Sequence, residues 1–116
     1  VLKSVTKYTN NTGNSSAASA VTATTDYFFL LSEYEVFGST TYANSNEASK
    51  QAQYSYYSAG NSKAKYNHSA TSTAVRWWLR SPLASSSTLF VLVYTDGTVN
   101  GSNANYSFGF APGFCV

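Results

Sequence analysis

The strongest constraint on how this chain can fold is the segment TLFVLVYTDGTV at residues 88–99. Its apolar and β-branched residues run up to Asp96-Gly97, a dipeptide that favours the type I′ turn of a β-hairpin. A second segment, AVRWWL at 74–79, also has high strand propensity and should stop at Ser81-Pro82. These segments predict that the larger sheet of the molecule is carried by the C-terminal half.

The first half of the chain predicts shorter elements. Ser32 and Glu35 have the spacing of a helix capping box, and Gly38 is placed to end that helix. The predicted elements are strands at 1–8, 20–31 and 111–116, a helix at 32–38, a partly helical segment at 46–60, and polar loops at 9–19 and 39–72. We therefore predict an α+β fold, with a small mixed or antiparallel sheet, short helices and long loops.

The length of 116 residues suits one domain with one core. The chain begins at Val1 without Met and shows no signal peptide, so we expect residues 1–116 to be a single domain from the C-terminal part of a longer polypeptide. Cys115 is the only cysteine, which excludes an intrachain disulfide. We expect it to be a small apolar residue of the last strand rather than a nucleophile.

The composition excludes several classes of protein. Charged residues make up 10% of the chain and the net charge is +2, whereas about 25% of residues are charged in a typical domain. A nucleic-acid binder would need more basic residues, and no apolar run approaches the roughly 20 residues that span a bilayer. Ser, Thr and Asn make up 42 of the 116 residues, and aromatic residues reach 16%. Tyr, Ser and Asn are the residue types that recognition surfaces use, so the composition favours a binding protein.

The sequence offers no catalytic constellation. His68 and Cys115 are too few for a metal cluster, and no Asp-rich loop could hold calcium. Glu33 and Glu35 are two positions apart, which on a helix turns them about 200° from each other. We expect one of the two to be solvated and the other structural. No enzyme activity, cofactor or metal is predicted.

Arg80 is the charged residue that the core should contain. It follows Trp77, Trp78 and Leu79 out of a strand that must be substantially buried. A buried guanidinium needs a carboxylate and hydrogen-bonding carbonyl groups. We predict that Glu33 or Glu35 pairs with Arg80, and that the pair is structural rather than a ligand contact.

Four motifs then occur in order along the chain. They are FFLLSEYEVFG at 28–38, WWLRSP at 77–82, F-x-x-V-x-x-D-G-T at 90–98 and GFAPGFCV at 109–116. Together they resemble a domain-of-unknown-function family that is common in gut-bacterial genomes and their prophages. More distantly, they are similar to the formylglycine-generating-enzyme branch of the C-type lectin fold, which includes the variable proteins of diversity-generating retroelements.

The resemblance implies a C-type-lectin-like fold and a binding role, often at a phage tail tip or a cell surface. It places Trp77, Trp78, Phe90 and Phe114 in the scaffold, and it argues against Trp77 and Trp78 as a sugar-stacking platform. The formylglycine-generating enzymes use paired cysteines with copper, so their oxidase activity does not transfer to a chain with one cysteine. Calcium-dependent lectins use triplets such as Glu-Pro-Asn, and their absence disfavours sugar binding through calcium.

One further pattern fits a variable protein. Adenine-directed mutagenesis of Asn codons cannot produce Lys, Glu, Gln, Met or Trp. The chain holds 12 residues of these types, and none of them lies in residues 83–116. A β segment of low charge would show the same depletion for packing or solubility reasons, so both explanations stay open.

The candidate ligand contacts lie in the C-terminal half, where Tyr, Arg and small polar residues could form a binding surface. They are Arg76, Leu83, Ser85, Ser87, Leu92, Tyr94, Asn103, Asn105, Tyr106 and Phe108. Of the strand residues, we expect Leu92 and Tyr94 to be exposed. The alternatives are ordinary core for the apolar members and a solvated loop for Asn103, Asn105 and Tyr106.

The sequence thus predicts a non-enzymatic ligand-recognition domain, most specifically a receptor-binding module of a phage tail or tail fibre. The expected partner is a bacterial surface protein or glycan. The expected setting is the virion tail, the extracellular space or the cell surface, as a homo-oligomer or part of a larger assembly, with no nucleic acid and no membrane insertion. The alternatives are a structural subunit of a virion or bacterial surface assembly and, third, an enzyme on the same scaffold.

Overall fold

The computed structural model describes residues 1–116 and contains three small sheets joined by short helices. The strands and α-helices are β1 (Val5–Asn10), β2 (Val21–Asp26), α1 (Glu33–Phe37), α2 (Ser55–Ser58), β3 (Lys65–Asn67), β4 (Ala70–Val75), β5 (Trp77–Pro82), β6 (Leu89–Val93), β7 (Val99–Asn103) and β8 (Gly109–Phe110). Two 3-10 segments span Ala18–Ala20 and Ser45–Lys50. The prediction of an α+β fold is confirmed. None of the helices is long and apolar enough to cross a membrane.

The largest sheet lies in the C-terminal half, as predicted. It has the order β7-β6-β5-β8, in which β6 pairs antiparallel with both of its neighbours and β8 runs parallel to β5. The other two sheets are the hairpins β1-β2 and β3-β4. The N-terminal half therefore contributes no strand to the main sheet. It is joined to the C-terminal half by side chains and by backbone hydrogen bonds, such as those from the Arg80 N–H to Leu31 O at 2.8 Å and from the Ala84 N–H to Tyr42 O at 2.9 Å.

The turn between β6 and β7 differs from the predicted type I′. That turn needs positive φ at both central residues, and only Gly97 has one here, at 85°. Asp96 instead turns its side chain back, and its Oδ1 accepts hydrogen bonds from the backbone N–H and the hydroxyl of Thr98 at 3.0 and 2.6 Å. The turn chemistry of an Asx residue therefore decides the loop geometry.

Helix α1 forms as the capping box predicts. Ser32 Oγ accepts from the Glu35 N–H, the Glu35 carboxylate accepts from the Ser32 N–H, and Gly38 ends the helix in the left-handed region at φ 68°. The expected helix over 46–60 is divided into the Ser45–Lys50 3-10 segment and α2.

Two predicted strand boundaries are wrong. Strand β5 continues through Ser81 and Pro82, because the register shifts between Trp78 and Pro82 and an irregular pairing tolerates a residue without an N–H. Residues 111–116 form isolated bridges to Lys3 and Phe29 instead of a strand.

The hydrophobic core lies between the main sheet and the helices. Trp77, Leu79, Val91 and Val93 project from one face of the sheet and pack with Val36 of α1. The Trp77 indole N–H donates to the carbonyl of Lys63 at 3.0 Å, so its polar atom is satisfied. The prediction that Trp77 belongs to the core is confirmed.

Three other aromatic residues expected in the scaffold lie elsewhere. Trp78 is half-buried and outside the core cluster, Phe90 is 37% exposed and Phe114 is 58% exposed. Side chains alternate along a strand, so Trp78 must project from the face opposite to Trp77. The motif that places both tryptophans in one strand therefore supplies only one of them to the core.

Candidate binding surface

The side of the main sheet that faces away from the core carries most of the aromatic side chains of the C-terminal half. We call it the outer face and define it by Arg76, Trp78, Phe90, Tyr94, Tyr106, Phe108 and Phe110. Trp78, Leu92 and Phe110 are register partners or neighbours across β5, β6 and β8. Phe110 is 71% exposed and Tyr106 is also exposed, so the rings are presented to solvent on a rigid sheet.

Four aromatic residues of the outer face pack against one another or against Arg76. The ring centres of Trp78 and Phe108 are 5.3 Å apart, and those of Phe108 and Tyr106 are 6.0 Å apart. The Arg76 guanidinium lies 4.7 Å from the ring centre of Tyr94 and 5.4 Å from that of Phe108. Cation–π and ring–ring contacts of this kind fix side chains without burying them. This part of the outer face is therefore pre-ordered.

Three depressions border this face. An apolar cleft of about 510 Å³ lies over Trp78, Phe90 and Phe110, and a polar one of about 520 Å³ is lined by Asn103, Asn105 and Tyr106 among others. The third is a groove of about 720 Å³ between the β3-β4 hairpin and the Arg76 end of the outer face.

Most of the predicted ligand contacts lie on or beside the outer face. Arg76, Tyr94, Tyr106 and Phe108 belong to it, and Asn103 and Asn105 are exposed where the chain leaves β7. Ser85 and Ser87 lie outside the outer face, on the exposed loop between β5 and β6. The role of these residues in binding stays a prediction.

Two predicted contacts are inaccessible. Leu92, expected to be exposed, is 0% exposed, because it lies between Trp78 of β5 and Asn100 of β7 beneath the outer face. Leu83 is buried in the core cluster. It packs against the backbone of Gly101, where an added Cβ would come within 2.8 Å of its Cδ1. Neither side chain can touch a ligand while the fold is intact.

Sequence reasoning missed Trp78, Phe90 and Phe110 as surface residues. All three lie within the motifs that carry the resemblance, and the resemblance places Trp78 and Phe90 in the scaffold. The alternation of Trp77 and Trp78 along one strand was the available signal for Trp78. No local signal marked Phe110, because its exposure depends on β8 pairing in parallel with β5.

Arg80 of β5, which also lines the apolar cleft beside Trp78 and Phe90, joins the two halves of the molecule. Its guanidinium donates to Thr9 Oγ1 at 2.8 Å, Leu30 O at 2.7 Å, Tyr8 O at 3.1 Å, Gln51 Oε1 at 2.8 Å and Glu35 Oε1. The predicted pairing of Arg80 with Glu33 or Glu35 is confirmed, with Glu35 as the partner. Lys7 binds the other oxygen of the same carboxylate at 2.7 Å.

The expectation that one of Glu33 and Glu35 is solvated is wrong. Both are buried, and Glu33 accepts the backbone N–H groups of Thr41, Tyr42 and Ala43. The loop after α1 folds back over the helix start, which gives Glu33 donors that no spacing rule could reveal. Both carboxylates are therefore structural.

Glu47 is a third buried carboxylate, in the segment 46–60 that the sequence predicts as partly helical. It accepts from the Asn10 N–H at 3.0 Å and from the Ser81 hydroxyl at 2.8 Å. Burial raises the pKa of Glu47 and of Glu33, and their hydrogen bonds oppose that shift. Burial would also raise the pKa of Glu35, but the charge of Arg80 and the hydrogen bonds from Lys7 and Arg80 outweigh it and lower that pKa.

The molecule is thus an α+β domain in which buried polar residues join distant segments of the chain. The aromatic outer face of its main sheet is exposed to solvent. A family model described as domain of unknown function (DUF6273) matches residues 2–116, and the chain belongs to that family. The expected membership of a domain-of-unknown-function family is thereby confirmed. No curated protein and no solved structure matches the chain.

Proposed function

We propose that this domain is a non-enzymatic recognition module that binds its ligand through the outer face. The observation that carries the proposal is a set of solvent-exposed rings, among them Phe90, Tyr106 and Phe110, on the side of the main sheet opposite the core. Contiguous exposed apolar surface on a soluble domain marks an interaction site. Tyr, Trp and Arg are also the residue types that dominate binding energy at interfaces.

The separation of core and outer face supports the same proposal. Trp77, Val91 and Val93 stabilise the fold from one side of the sheet, and the buried carboxylates are occupied by hydrogen bonds within the chain. The exposed rings are thus free to contact a partner. A binding surface of this kind on a rigid sheet loses little conformational entropy when a ligand binds.

The finer proposal is a C-type-lectin-like fold in a phage tail or tail-fibre module that attaches to a bacterial surface protein or glycan. It is supported by the resemblance of the WWLRSP and GFAPGFCV motifs to phage-associated variable proteins. The placement of Arg76, Tyr94, Tyr106 and Phe108 on one face agrees with a variable C-terminal surface.

The test is binding of the purified, fluorescently labelled domain to a panel of gut-bacterial strains, measured by flow cytometry. Tyr106→Ala and Phe90→Ala should each lower apparent affinity more than tenfold, as expected for aromatic hot spots. Tyr56→Ala is the matched control, since Tyr56 is equally exposed but lies on α2.

Thermal melting of each variant shows whether the fold is retained. Recognition through the outer face is wrong if the folded Tyr106 and Phe90 variants bind cells as well as the control does.

A structural subunit is the second candidate, and a specific observation favours it. Phe28 and Phe114 are both exposed, with ring centres 6.2 Å apart, which adds apolar surface near the ends of the chain. In this case the rings would pack against sister chains. Sedimentation would then show an oligomer that Phe90→Ala and Phe114→Ala convert to monomer, whereas cell binding would not respond to Tyr106→Ala.

A further inference from the structure

The groove beside the outer face has one wall from the β3-β4 hairpin and one from the segment around Phe108. Lys65, Tyr66, Asn67 and His68 line the first wall, and Arg76 and Phe110 are on the second. Its volume of about 720 Å³ suits a ligand of a few rings rather than a single ion. No carboxylate lines it.

Arg76 is available to a ligand in this groove. Its guanidinium stacks on the rings of Tyr94 and Phe108, and stacking occupies the faces of the group but not its N–H donors, which lie in its plane. Both ion pairs of the molecule are made to Glu35, by Lys7 and Arg80. Arg76 is exposed and has no carboxylate partner within the chain.

Lys65 supplies a second unpaired cation on the opposite wall. Its Nζ lies 5.1 Å from the ring of Trp77 and 5.9 Å from that of Tyr57, with no carboxylate in reach. None of the five side-chain carboxylates lines the groove, and Asp96, which directly follows Thr95 of the lining, comes nearest to it in sequence. Glu33, Glu35 and Glu47 are buried in the interior, and only Asp26 and Asp96 are exposed. The groove is therefore positively charged, although the molecule as a whole is close to neutral.

We propose that this groove binds an acidic carbohydrate, one whose sugars carry carboxylate or phosphate groups. The inference rests on the proposed recognition function and names its ligand class. Arg76 and Lys65 bind the anionic group, and a guanidinium suits the two oxygens of a carboxylate or phosphate. The exposed rings of Tyr66 and Phe110 offer flat apolar surfaces for the C–H faces of sugar rings.

The polar lining fits sugar hydroxyls better than a peptide. Asn67 accepts from Ser69 through Oδ1, which leaves its amide N–H groups free to donate. His68 and Ser107 add further hydrogen-bonding groups to the walls. A peptide bound by strand addition would need free backbone groups, whereas the Gly109 N–H in the groove already donates to the Arg76 carbonyl at 2.9 Å.

The test is titration calorimetry of the domain with three acidic probes. They are an oligogalacturonate, a sialylated oligosaccharide and a glycerol-phosphate oligomer, each paired with its neutral form after carboxyl reduction, desialylation or dephosphorylation. At least one acidic probe should bind at least tenfold more tightly than its neutral form. Its affinity should fall as salt is added, because the contact is ionic. Which probe binds distinguishes carboxylate from phosphate as the anionic group.

Arg76→Gln and Lys65→Gln should each weaken that binding about tenfold or more, the usual effect of losing a hydrogen bond to a charged group. Lys50→Gln is the matched control. It removes the same charge from a lysine that also lies near a ring, 5.9 Å from Tyr8, but outside the groove. This control should bind like the unmodified chain.

The proposal is overturned if all three acidic probes fail to bind, if neutral forms bind equally well, or if Arg76→Gln and Lys65→Gln both bind like Lys50→Gln. A glutamate-rich peptide that binds in preference to every probe would assign the groove to acidic proteins instead. The proposed recognition function is tested independently of the sugar assignment, because Tyr106 and Phe90 lie outside the groove lining. Cell binding that still depends on them would leave that function standing while the sugar assignment falls.

Discussion

At the scale of single residues, Arg80 is the most connected side chain of the molecule. It hydrogen-bonds to residues of β1, to the segment before α1, to α1 itself and to Gln51. The pair with Glu35 was predictable, because an arginine directly after Trp-Trp-Leu in a core strand needs a carboxylate. The contacts of Glu33 and Glu47 were not, because their donors come from loops whose path the sequence does not reveal.

Replacing Arg80 tests whether this pair is structural. Arg80→Ala leaves Glu35 buried with Lys7 as its remaining cation, so we expect unfolding free energy to fall by about 3–5 kcal/mol. Arg76→Ala removes an exposed arginine from the same strand region and should change stability by less than about 1 kcal/mol. Urea unfolding measures both. If Arg80→Ala kept its stability but lost ligand binding, Arg80 would be a ligand contact.

At the scale of elements, the accuracy of prediction depends on how local the interactions are. The α1 cap and the β6-β7 hairpin were predictable because their signals lie within a few residues. The 111–116 segment was not, since its bridges run to Lys3 and Phe29. Strand β6 shows the same limit: alternation divides its residues into two faces but does not say that Leu92 is covered by its neighbours while Phe90 is not.

The contact between β7 and the end of β5 can be tested by substitution. An alanine Cβ at position 101 would lie 2.8 Å from Leu83 Cδ1, so Gly101→Ala should cost about 1–3 kcal/mol through overpacking. Leu83→Val removes the interfering atoms and should offset part of that loss. The double variant should therefore be more stable than the sum of the single changes predicts. Strictly additive unfolding energies would show that the two residues do not touch.

At the scale of the whole molecule, the polar residues are the part that the sequence misjudged. The sequence assigns most Ser, Thr and Asn residues to loops and surface, yet Asn10 and Asn44 are buried, as are the helix cap Ser32 and the strand residue Ser81. Asn44, for example, donates to the carbonyl of Ala17 and so ties two loops together. These contacts join segments far apart in the chain, which composition and periodicity cannot show.

The buried glutamates predict opposite pH effects on global stability. The pKa of Glu35 is lowered in the fold from its usual 4.5, so its contribution is present above that value and is lost as pH falls through the folded pKa. The pKa of Glu47 is raised, so its contribution is present below 4.5 and is lost as pH rises through the folded pKa.

Urea unfolding from about pH 3 to about pH 7 checks this. The unfolding free energy of the unmodified chain should exceed that of Glu35→Gln, and this difference should become smaller as the pH falls. The difference in unfolding free energy between the unmodified chain and Glu47→Gln should change in the opposite direction. As pH rises, the unmodified chain should become less stable relative to Glu47→Gln. Parallel curves for all three proteins would contradict the assignment of these carboxylates.

The position of Arg80 late in the chain also has a consequence for synthesis. Its carboxylate partner Glu35 and its other partners from Tyr8 to Gln51 all precede it. A nascent chain has therefore made Glu35 before the guanidinium exists, with Lys7 as the one cation bound to this carboxylate, and burying charge without its partners is unfavourable. The packing around Glu35 is therefore completed only after β5 has emerged from the ribosome.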